Sequence, residues 1–402
     1  MKKLQLLMLG LLFTGASCSS TSDQVNKKDA FEHAEKQTQL MLREVEKAKQ
    51  QGAEGVIPRT LTETGDLRLV KPRDWTSGFF PGVLWFLHEY TGKEEWREEA
   101  EKFTAYIENE KFDKGTHDLG FKIYGSFGQG NRILDNPEYR DVVIQAAKTL
   151  TTRYNPKVKS IRSWDHNADK WDFPVIVDNM MNLELLFAAT RFTGDSTYYE
   201  VAVNHANTTL ANHFRDDFSS YHVVDYNPET GEVQNKHTHQ GYAHSSAWAR
   251  GQAWGLYGYT MSFRETGMEK YLQQAEEIAD FILNHPNLPE DMVPYWDFDA
   301  PNPEEQPRDV SAAAVTASAL LELSTYSDKG ETYRAAADKI LQSLYQSYTA
   351  PVGSNRGFIL LHSTGHKPAD SEVDVPLNYA DYYYLEALLR QDDLEKDKPL
   401  SL

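Results

Sequence analysis

A short pattern of apolar residues recurs five times along the chain and commits most of it to stacked helices. In each copy an aromatic residue opens the run and apolar residues follow at +4, +7 and +11. The copies are Trp96/Ala100/Phe103/Ile107, Tyr139/Val143/Ala146/Leu150, Tyr199/Val203/Ala206/Leu210, Tyr271/Ala275/Ile278/Ile282 and Tyr333/Ala337/Ile340/Leu344. That spacing keeps one face of an α-helix apolar. Three copies follow a Thr-Gly pair, Thr91-Gly92, Thr193-Gly194 and Thr266-Gly267. Glycine after an apolar run is a helix stop, because it accepts positive φ. The stretches ahead of the copies, residues 78–90, 179–192, 246–263 and 311–326, are helical in pattern but apolar or aromatic nearly all round. A helix of that kind is buried. Each unit therefore reads as a buried helix, a tight turn and an amphipathic outer helix. Residues 120–129 and 375–389 bring the buried helices to six, and residues 30–49 supply a sixth outer one.

Helical hairpins bury their faces against neighbours, either as an open solenoid or as a closed ring. Six pairs suffice to close, and a ring lets the first helix complete the last pair. The expected fold is a single all-α domain, an (α/α)6 barrel, over residues 29–392, with a tail at 393–402. The units are longer than usual helical repeats, and the excess sits in loops ahead of the buried helices, where sites are built.

Composition narrows the function. A hydrophobic fraction of 40% and a charged fraction of 25% are those of a globular protein and exclude a disordered or fibrous chain. The net charge is −19, with no basic patch or stripe, so no nucleic-acid partner is expected. The N-terminus opens with Lys2-Lys3, then an apolar run to Phe13, then Gly15-Ala16-Ser17-Cys18. Residues 1–17 read as a signal peptide, too short for a membrane span. Cys18 is the only cysteine, which excludes a disulfide within the chain. It is either a lipid attachment site or an incidental residue of an ordinary secretory signal; the first is the expectation, although Gly15 stands where a lipobox has Leu. Residues 18–28 then form a polar tether, the membrane is touched only through the lipid, and the protein is exported to the periplasm or outer membrane of a bacterium. No obligate protein partner is inferred.

In a ring of hairpins the inner helices run the same way, so their starts gather on one face. The unusual residues lie there: Asp74-Trp75, His117-Asp118, Asp178, His239-Gln240 through Arg250, and Arg308-Asp309. An Asp ahead of a helix is most often an N-cap, and Asp74 and Asp309 are read as caps or supports. Asp178 differs because it follows Phe173-Pro174-Val175-Ile176-Val177. Desolvation there raises a carboxyl pKa and makes a proton donor near neutral pH. Asp118, beside His117, is its companion, and two carboxyl groups on one rim suit glycosidic chemistry. His237-Thr238-His239 has the look of a metal pair, but no matching Cys/Asp cluster accompanies it, so neither metal nor cofactor is expected. Trp164 is the better sugar platform among the tryptophans, with Trp171, Trp248, Trp254 and Trp296 open between platform and core. Arg250 and Gln240 can hold a carboxylate, unless Arg250 is spent in a surface salt bridge.

Several long motifs, in order, make the chain resemble the unsaturated glucuronyl hydrolases of glycoside hydrolase family 88. They are Arg73-Asp74-Trp75-Thr76-Ser77-Gly78-Phe79-Phe80-Pro81-Gly82, His117-Asp118-Leu119-Gly120-Phe121, Ile176-Val177-Asp178-Asn179-Met180-Met181-Asn182-Leu183 and His239-Gln240-Gly241-Tyr242 through Trp248-Ala249-Arg250-Gly251-Gln252-Ala253-Trp254. Asp297-Phe298-Asp299-Ala300-Pro301 and Asp381-Tyr382-Tyr383-Tyr384-Leu385-Glu386-Ala387-Leu388 fit as well. The resemblance implies an (α/α)6 barrel and removal of a 4,5-unsaturated uronic acid from the non-reducing end of lyase-generated oligosaccharides. It implies Asp178 as the acid that protonates C4 and then activates water, with Asp118 as the second essential aspartate. By the same resemblance His222, Gln240, Arg250 and Trp254 contact the unsaturated sugar, and Trp75, His117 and Trp164 line the same subsite. Members that accept sulfated glycosaminoglycan fragments carry a Ser-rich segment ending in Lys. Here His362-Ser363-Thr364-Gly365-His366-Lys367 keeps the lysine but not the serine spacing, so Lys367 is either a sulfate partner or a solvated lysine. Chondroitin, hyaluronan or heparin fragments are the expected substrates. The rivals are a pectin-directed unsaturated rhamnogalacturonyl hydrolase, a sugar epimerase on the same barrel and a lipid-anchored glycan binder without catalysis.

Overall fold

The helix boundaries in the computed structural model, which describes residues 25–401, follow from the caps. The signal segment, Cys18 and most of the tether lie outside the described residues. The helices are α1 (Lys27–Gln50), α2 (Phe79–Thr91), α3 (Glu94–Ala105), α4 (Gln129–Leu134), α5 (Pro137–Thr151), α6 (Leu183–Thr193), α7 (Ser196–Asn212), α8 (Ala249–Thr266), α9 (Glu269–Asn284), α10 (Val310–Leu323), α11 (Gly330–Ser343) and α12 (Asn378–Glu395). Asn26, Asn136 and Asp195 cap α1, α5 and α7 by accepting from backbone N–H groups of the first turn. The three Thr-Gly turns end α2, α6 and α8 with glycines at φ 68°, 70° and 65°. α1 begins two residues ahead of the expected domain start, because Asn26 caps it, and α12 runs three residues past its expected end.

The inner helices are α2, α4, α6, α8, α10 and α12. Each packs on the next, except that the π-helical run (Gly120–Gly128) leading into α4 makes the contact with α6, and α12 packs on α2, which closes the ring. The outer helices α3, α5, α7, α9 and α11 lie against the inner helices of their own hairpins, and α1 rests on α12 and α2. This is the (α/α)6 barrel. The closing seam is aromatic: the Tyr382 ring stands 4.8 Å from Phe86 and 5.3 Å from Phe79. Gly82 lets the two helices approach, since a Cβ there would overlap Tyr382 and come within 2.6 Å of the Gly125 carbonyl oxygen.

Two features depart from the sequence pattern. The inner helices are not apolar all round. Glu322, Glu386 and Arg390 are buried, with Arg390 3.2 Å from Glu322 and 3.5 Å from Glu386. Arg264 joins them, 2.8 Å from Glu322 and paired with Glu184. Charges are tolerated there because each has an opposite partner; removing one partner would strand the other. Second, short antiparallel strands decorate the barrel: β1 (Ile57–Leu61) with β2 (Leu67–Val70), β3 (Tyr154–Asn155) with β4 (Ser160–Ile161), and a sheet of β5 (Pro174–Ile176), β6 (Val223–Tyr226) and β7 (Val233–His237). The apolar run 173–177 is thus largely β5, paired with β6 in the register Ile176↔Val223.

The starts of the inner helices are cross-linked on one face. Asn378, at the start of α12, donates to the Thr76 carbonyl ahead of α2 at 3.1 Å. A π-helical run (Gly120–Gly128) leads into α4, and its Phe121 N–H donates to Asn182 Oδ1 at 3.1 Å. Asn182 closes the 3-10 turn (Val177–Asn182) that opens α6.

Candidate active site

That face holds a pocket lined by Trp75, His117, Asp118, Phe121, Trp164, Ile176, Asp178, Gln240 and Arg250. Seven of the residues singled out in the sequence therefore converge, from five different segments. Trp75 precedes α2, and Asp118 precedes the π-helical run. Asp178 sits in the 3-10 turn where β5 gives way to α6, and Arg250 lies in the first turn of α8.

Asp178 is buried, and its Oδ2 has no hydrogen-bond partner. Burial pushes its pKa up to about 7; the Arg250 charge pulls it down, and the Asp118 charge pushes it further up. The carboxyl therefore carries a proton over much of the neutral range. His222 faces it, with Nε2 3.6 Å from Asp178 Oδ2. The Nδ1 atom of His222 accepts from the His239 and Gln240 N–H groups at 3.1 and 3.0 Å, so the ring proton sits on Nε2. Burial holds the ring well below the usual histidine range, so His222 is neutral. Its place is set by pairing of β5 with β6, since it stands one residue before β6. Trp254 is wholly buried beneath the pocket, its ring 5.3 Å from Phe121 and its indole N–H unpartnered.

Asp118 is held by Thr116, whose Oγ1 donates to its Oδ2 at 2.7 Å; His117 Nε2 lies 3.1 Å from its Oδ1 without a hydrogen bond. His117 Nδ1 donates to the Ser163 carbonyl at 2.8 Å, which orients the ring; burial lowers its pKa. Trp164 packs against Trp171 at 5.4 Å and His239 at 5.2 Å.

Arg250 corrects the surface salt-bridge alternative. Its side chain is 1% exposed. Nη1 donates to Asp309 Oδ2 at 2.5 Å and to the Thr364 carbonyl at 2.6 Å, and Nη2 donates to the Gly365 carbonyl at 2.5 Å. The guanidinium lies over the Trp248 ring at 4.6 Å. Nε is left without a partner. Asp309, read as a cap, does both: Oδ1 accepts the Ser311 N–H at 3.1 Å while Oδ2 holds Arg250. Gln240 donates to the Gly365 carbonyl at 3.1 Å. Trp171, Trp248 and Trp296 are buried and belong to the core rather than to a platform.

Lys367 lies outside the pocket. It sits on the adjoining hairpin, 35% exposed, 3.9 Å from Asp370. His237 and His239 do not form a pair: His237 accepts the Trp171 indole N–H at 3.1 Å, while His239 faces His366 at 4.7 Å. Among the described residues no group of three or more His, Cys, Asp or Glu is arranged to hold a metal ion. No described helix is long and apolar enough to cross a membrane. Sequence reasoning missed Phe121 and Ile176 as lining residues, Thr116 as the partner of Asp118 and His366 beside His239; all but Thr116 stood within quoted segments.

No family model matches the chain. Curated relatives do. The unsaturated glucuronyl hydrolase of Formosa agariphila is 49% identical, covering 96% of this chain and 97% of its own length. The unsaturated chondroitin disaccharide hydrolase of Streptococcus pyogenes serotype M1 is 35% identical, covering 83% and 85%. Among solved structures, an unsaturated glucuronyl hydrolase specific for heparin superposes with a TM-score of 0.87 at 47% identity, covering 92% and 98%. The glycosaminoglycan-degrading enzyme of Bacillus sp. GL1 gives 0.83 at 31%, covering 92% and 97%.

Proposed function

The chain belongs to the unsaturated glucuronyl hydrolases, and from that premise we propose that it frees a 4,5-unsaturated uronic acid from the non-reducing end of glycosaminoglycan fragments, with Asp178 as the acid. The observation that carries the assignment is a buried carboxyl with one unpartnered oxygen and a pKa pushed up to about 7, in a pocket that also holds a cation.

The steps balance as follows. Asp178 gives its proton to C4 of the enol ether, and the C4=C5 pair forms the new C–H bond. Positive charge develops at C5, shared with the ring oxygen and favoured by the adjacent Asp118 carboxylate. Water adds to C5 and loses its proton to Asp178, which returns to its starting state. The product at C5 is a hemiketal. It opens by breaking the bond from C5 to the ring oxygen, leaving a ketone at C5 and a hemiacetal at C1, which expels the aglycone alcohol. His222, neutral with its proton on Nε2, donates toward the Asp178 carboxylate formed after the first step. Arg250 draws the uronate carboxylate in, working against the Asp118 carboxylate of the same pocket and a net charge of −19. Trp75 and Trp164 supply flat faces for the sugar ring.

The test is loss of the alkene's ultraviolet absorbance when purified protein meets lyase-derived disaccharides. Heparin-derived disaccharides lead the panel, given the 47% identical heparin-specific structure, with chondroitin and hyaluronan disaccharides beside them. Loss of absorbance is expected on at least one; no loss on any uronic disaccharide leaves only glycan binding. Lys367→Ala should weaken capture of sulfated members and spare unsulfated ones; equal effects remove Lys367 from the aglycone subsite. We also propose that Cys18 is lipidated after export, which incorporation of a labelled fatty acid into the wild type but not Cys18→Ala would test.

A further inference from the structure

The Gly365 carbonyl, which backs Arg250 and Gln240 of the pocket, belongs to a hairpin, residues 363–375, and nothing in the reaction above accounts for how that hairpin is held. Ser363 and Val375 exchange both N–H···O bonds at 2.9 Å, and His366 bridges Ser371. Four residues at or beside it that are not glycine stand in the left-handed region: His362 at φ 62°, Asp370 at 49°, Glu372 at 56° and Asp374 at 56°. Such residues persist only where the surroundings hold them. Yet the hairpin's outer side is bordered by an open groove of about 810 Å³ between it and β1–β2, so packing there holds little.

What holds it is charge. Arg59, on β1, grips Glu372 with two prongs, Nε to Oε1 at 2.7 Å and Nη2 to Oε2 at 2.8 Å. Its third arm, Nη1, reaches Asp74 Oδ2 at 2.7 Å. Asp74 in turn accepts from Thr76 N–H and Oγ1–H at 2.9 and 2.7 Å, beside Trp75. Glu372 passes the constraint on, since its own carbonyl accepts the Gly365 N–H at 2.6 Å. The Gly365 carbonyl then accepts from Arg250 Nη2 and from Gln240 Nε2. A chain of hydrogen bonds, linked through Glu372 and Gly365, thus runs from the Asp74–Thr76 turn that carries Trp75 to Arg250 and Gln240. The ions are largely shielded, with Glu372 7% exposed, and two-pronged guanidinium–carboxylate contacts are geometrically demanding.

We propose that Arg59 and Glu372 are positioning residues of the active site: their ion clamp sets the hairpin so that one carbonyl, that of Gly365, orients both Arg250 and Gln240 toward the uronate. Neither residue touches the substrate. The clamp acts on capture of the sugar rather than on the proton transfer at Asp178.

The proposal rests on the functional reading above, and the experiment separates the two. Wild type, Arg59→Ala, Arg59→Lys and Glu372→Gln are assayed on the disaccharide that wild type consumes, alone and in a Gln240→Ala background. Arg59→Ala should raise KM about tenfold with kcat within about threefold, the signature of lost binding rather than lost chemistry. Arg59→Lys should fall between, because an ammonium cannot fork. The effect of Arg59→Ala should shrink when Gln240 is already Ala, since the two lie on one chain of hydrogen bonds. Amide hydrogen exchange at Ser363, Gly365 and Val375 should quicken in every clamp variant. Glu372→Gln, nearly the same shape, carries the test if Arg59→Ala does not fold. An active wild type with clamp variants that match it in KM, or that lose kcat alone, overturns the clamp and leaves the function standing. A wild type that consumes no unsaturated disaccharide overturns both.

Discussion

Replacing Asp178 by Asn should make the protein more stable while making it inactive. In the unfolded chain this carboxyl releases its proton near its ordinary pKa of 3.8; in the folded protein it keeps the proton until about 7. Between those values the unfolded state binds fewer protons, so the residue costs progressively more stability as pH rises, and the cost levels off above about pH 7. At 1.36 kcal/mol per pKa unit the full cost is about 4 kcal/mol. Asn has the same shape and no proton to lose, so Asp178→Asn recovers most of that sum at pH 8 and little at pH 4. With unfolding entropies of roughly 2.1 cal/mol/K per residue, a chain of this length would gain about 5 °C in thermal midpoint. The assay is a thermal melt of wild type and variant at several pH values from 4 to 9, with turnover measured on the same samples. A gain that does not grow between pH 4 and 7, or a loss of stability at pH 8, would show that the carboxyl is not held protonated by its surroundings, and the proton donor would have to be sought elsewhere.

Turnover should depend on the same proton: kcat/KM is expected to fall about tenfold per pH unit above roughly pH 7, and a flat profile to pH 9 would contradict it. Arg250→Ala should cost about 3–5 kcal/mol, because it leaves the Asp309 carboxylate buried without its cation, and should raise KM as well; a variant that melts like wild type would mean that the pair contributes little. Gly82→Ala should lower the thermal midpoint by the equivalent of about 1–3 kcal/mol, since the new methyl group meets Tyr382 and the Gly125 carbonyl at the closing seam; an unchanged midpoint would show that the α2–α12 seam yields freely.

Much of this architecture was legible because it is written in local periods. The five aromatic-led copies mark α3, α5, α7, α9 and α11, and the Thr-Gly turns mark where α2, α6 and α8 stop, since both signals act within a few residues. Asp178 was legible for a related reason: an apolar run followed by an acid announces a desolvated carboxyl whatever the run becomes. The run's true form, strand β5, was hidden because its partner β6 lies about fifty residues away in the chain, and pairing over that distance leaves no local trace. His222 was accordingly invisible to patterning and entered only by resemblance; its position is a consequence of β-sheet register. The buried charges of α10 and α12 were missed for the same physical reason. Glu322, Glu386 and Arg390 look like surface residues until α10 and α12 meet and pair them. Arg250 shows the limit most plainly. Its motif was readable, but its partners Asp309, Thr364 and Gly365 come from segments 59 to 115 residues away.

The ring closes between the second helix and the last, and that order has a consequence for synthesis. While the chain is being made, the side of α2 that meets Tyr382, with Phe79, Gly82 and Phe86, is only partly covered until α12 emerges. Tyr379, which stands 5.1 Å from Trp75 and lies 5.4 Å below the Arg250 guanidinium, arrives with that same final segment. Contacts spanning nearly the full length of a polypeptide form late and slowly. A nascent or C-terminally clipped molecule therefore lacks the Tyr379 ring that backs both Trp75 and Arg250, so activity should switch on in a single event at completion rather than grow by degrees.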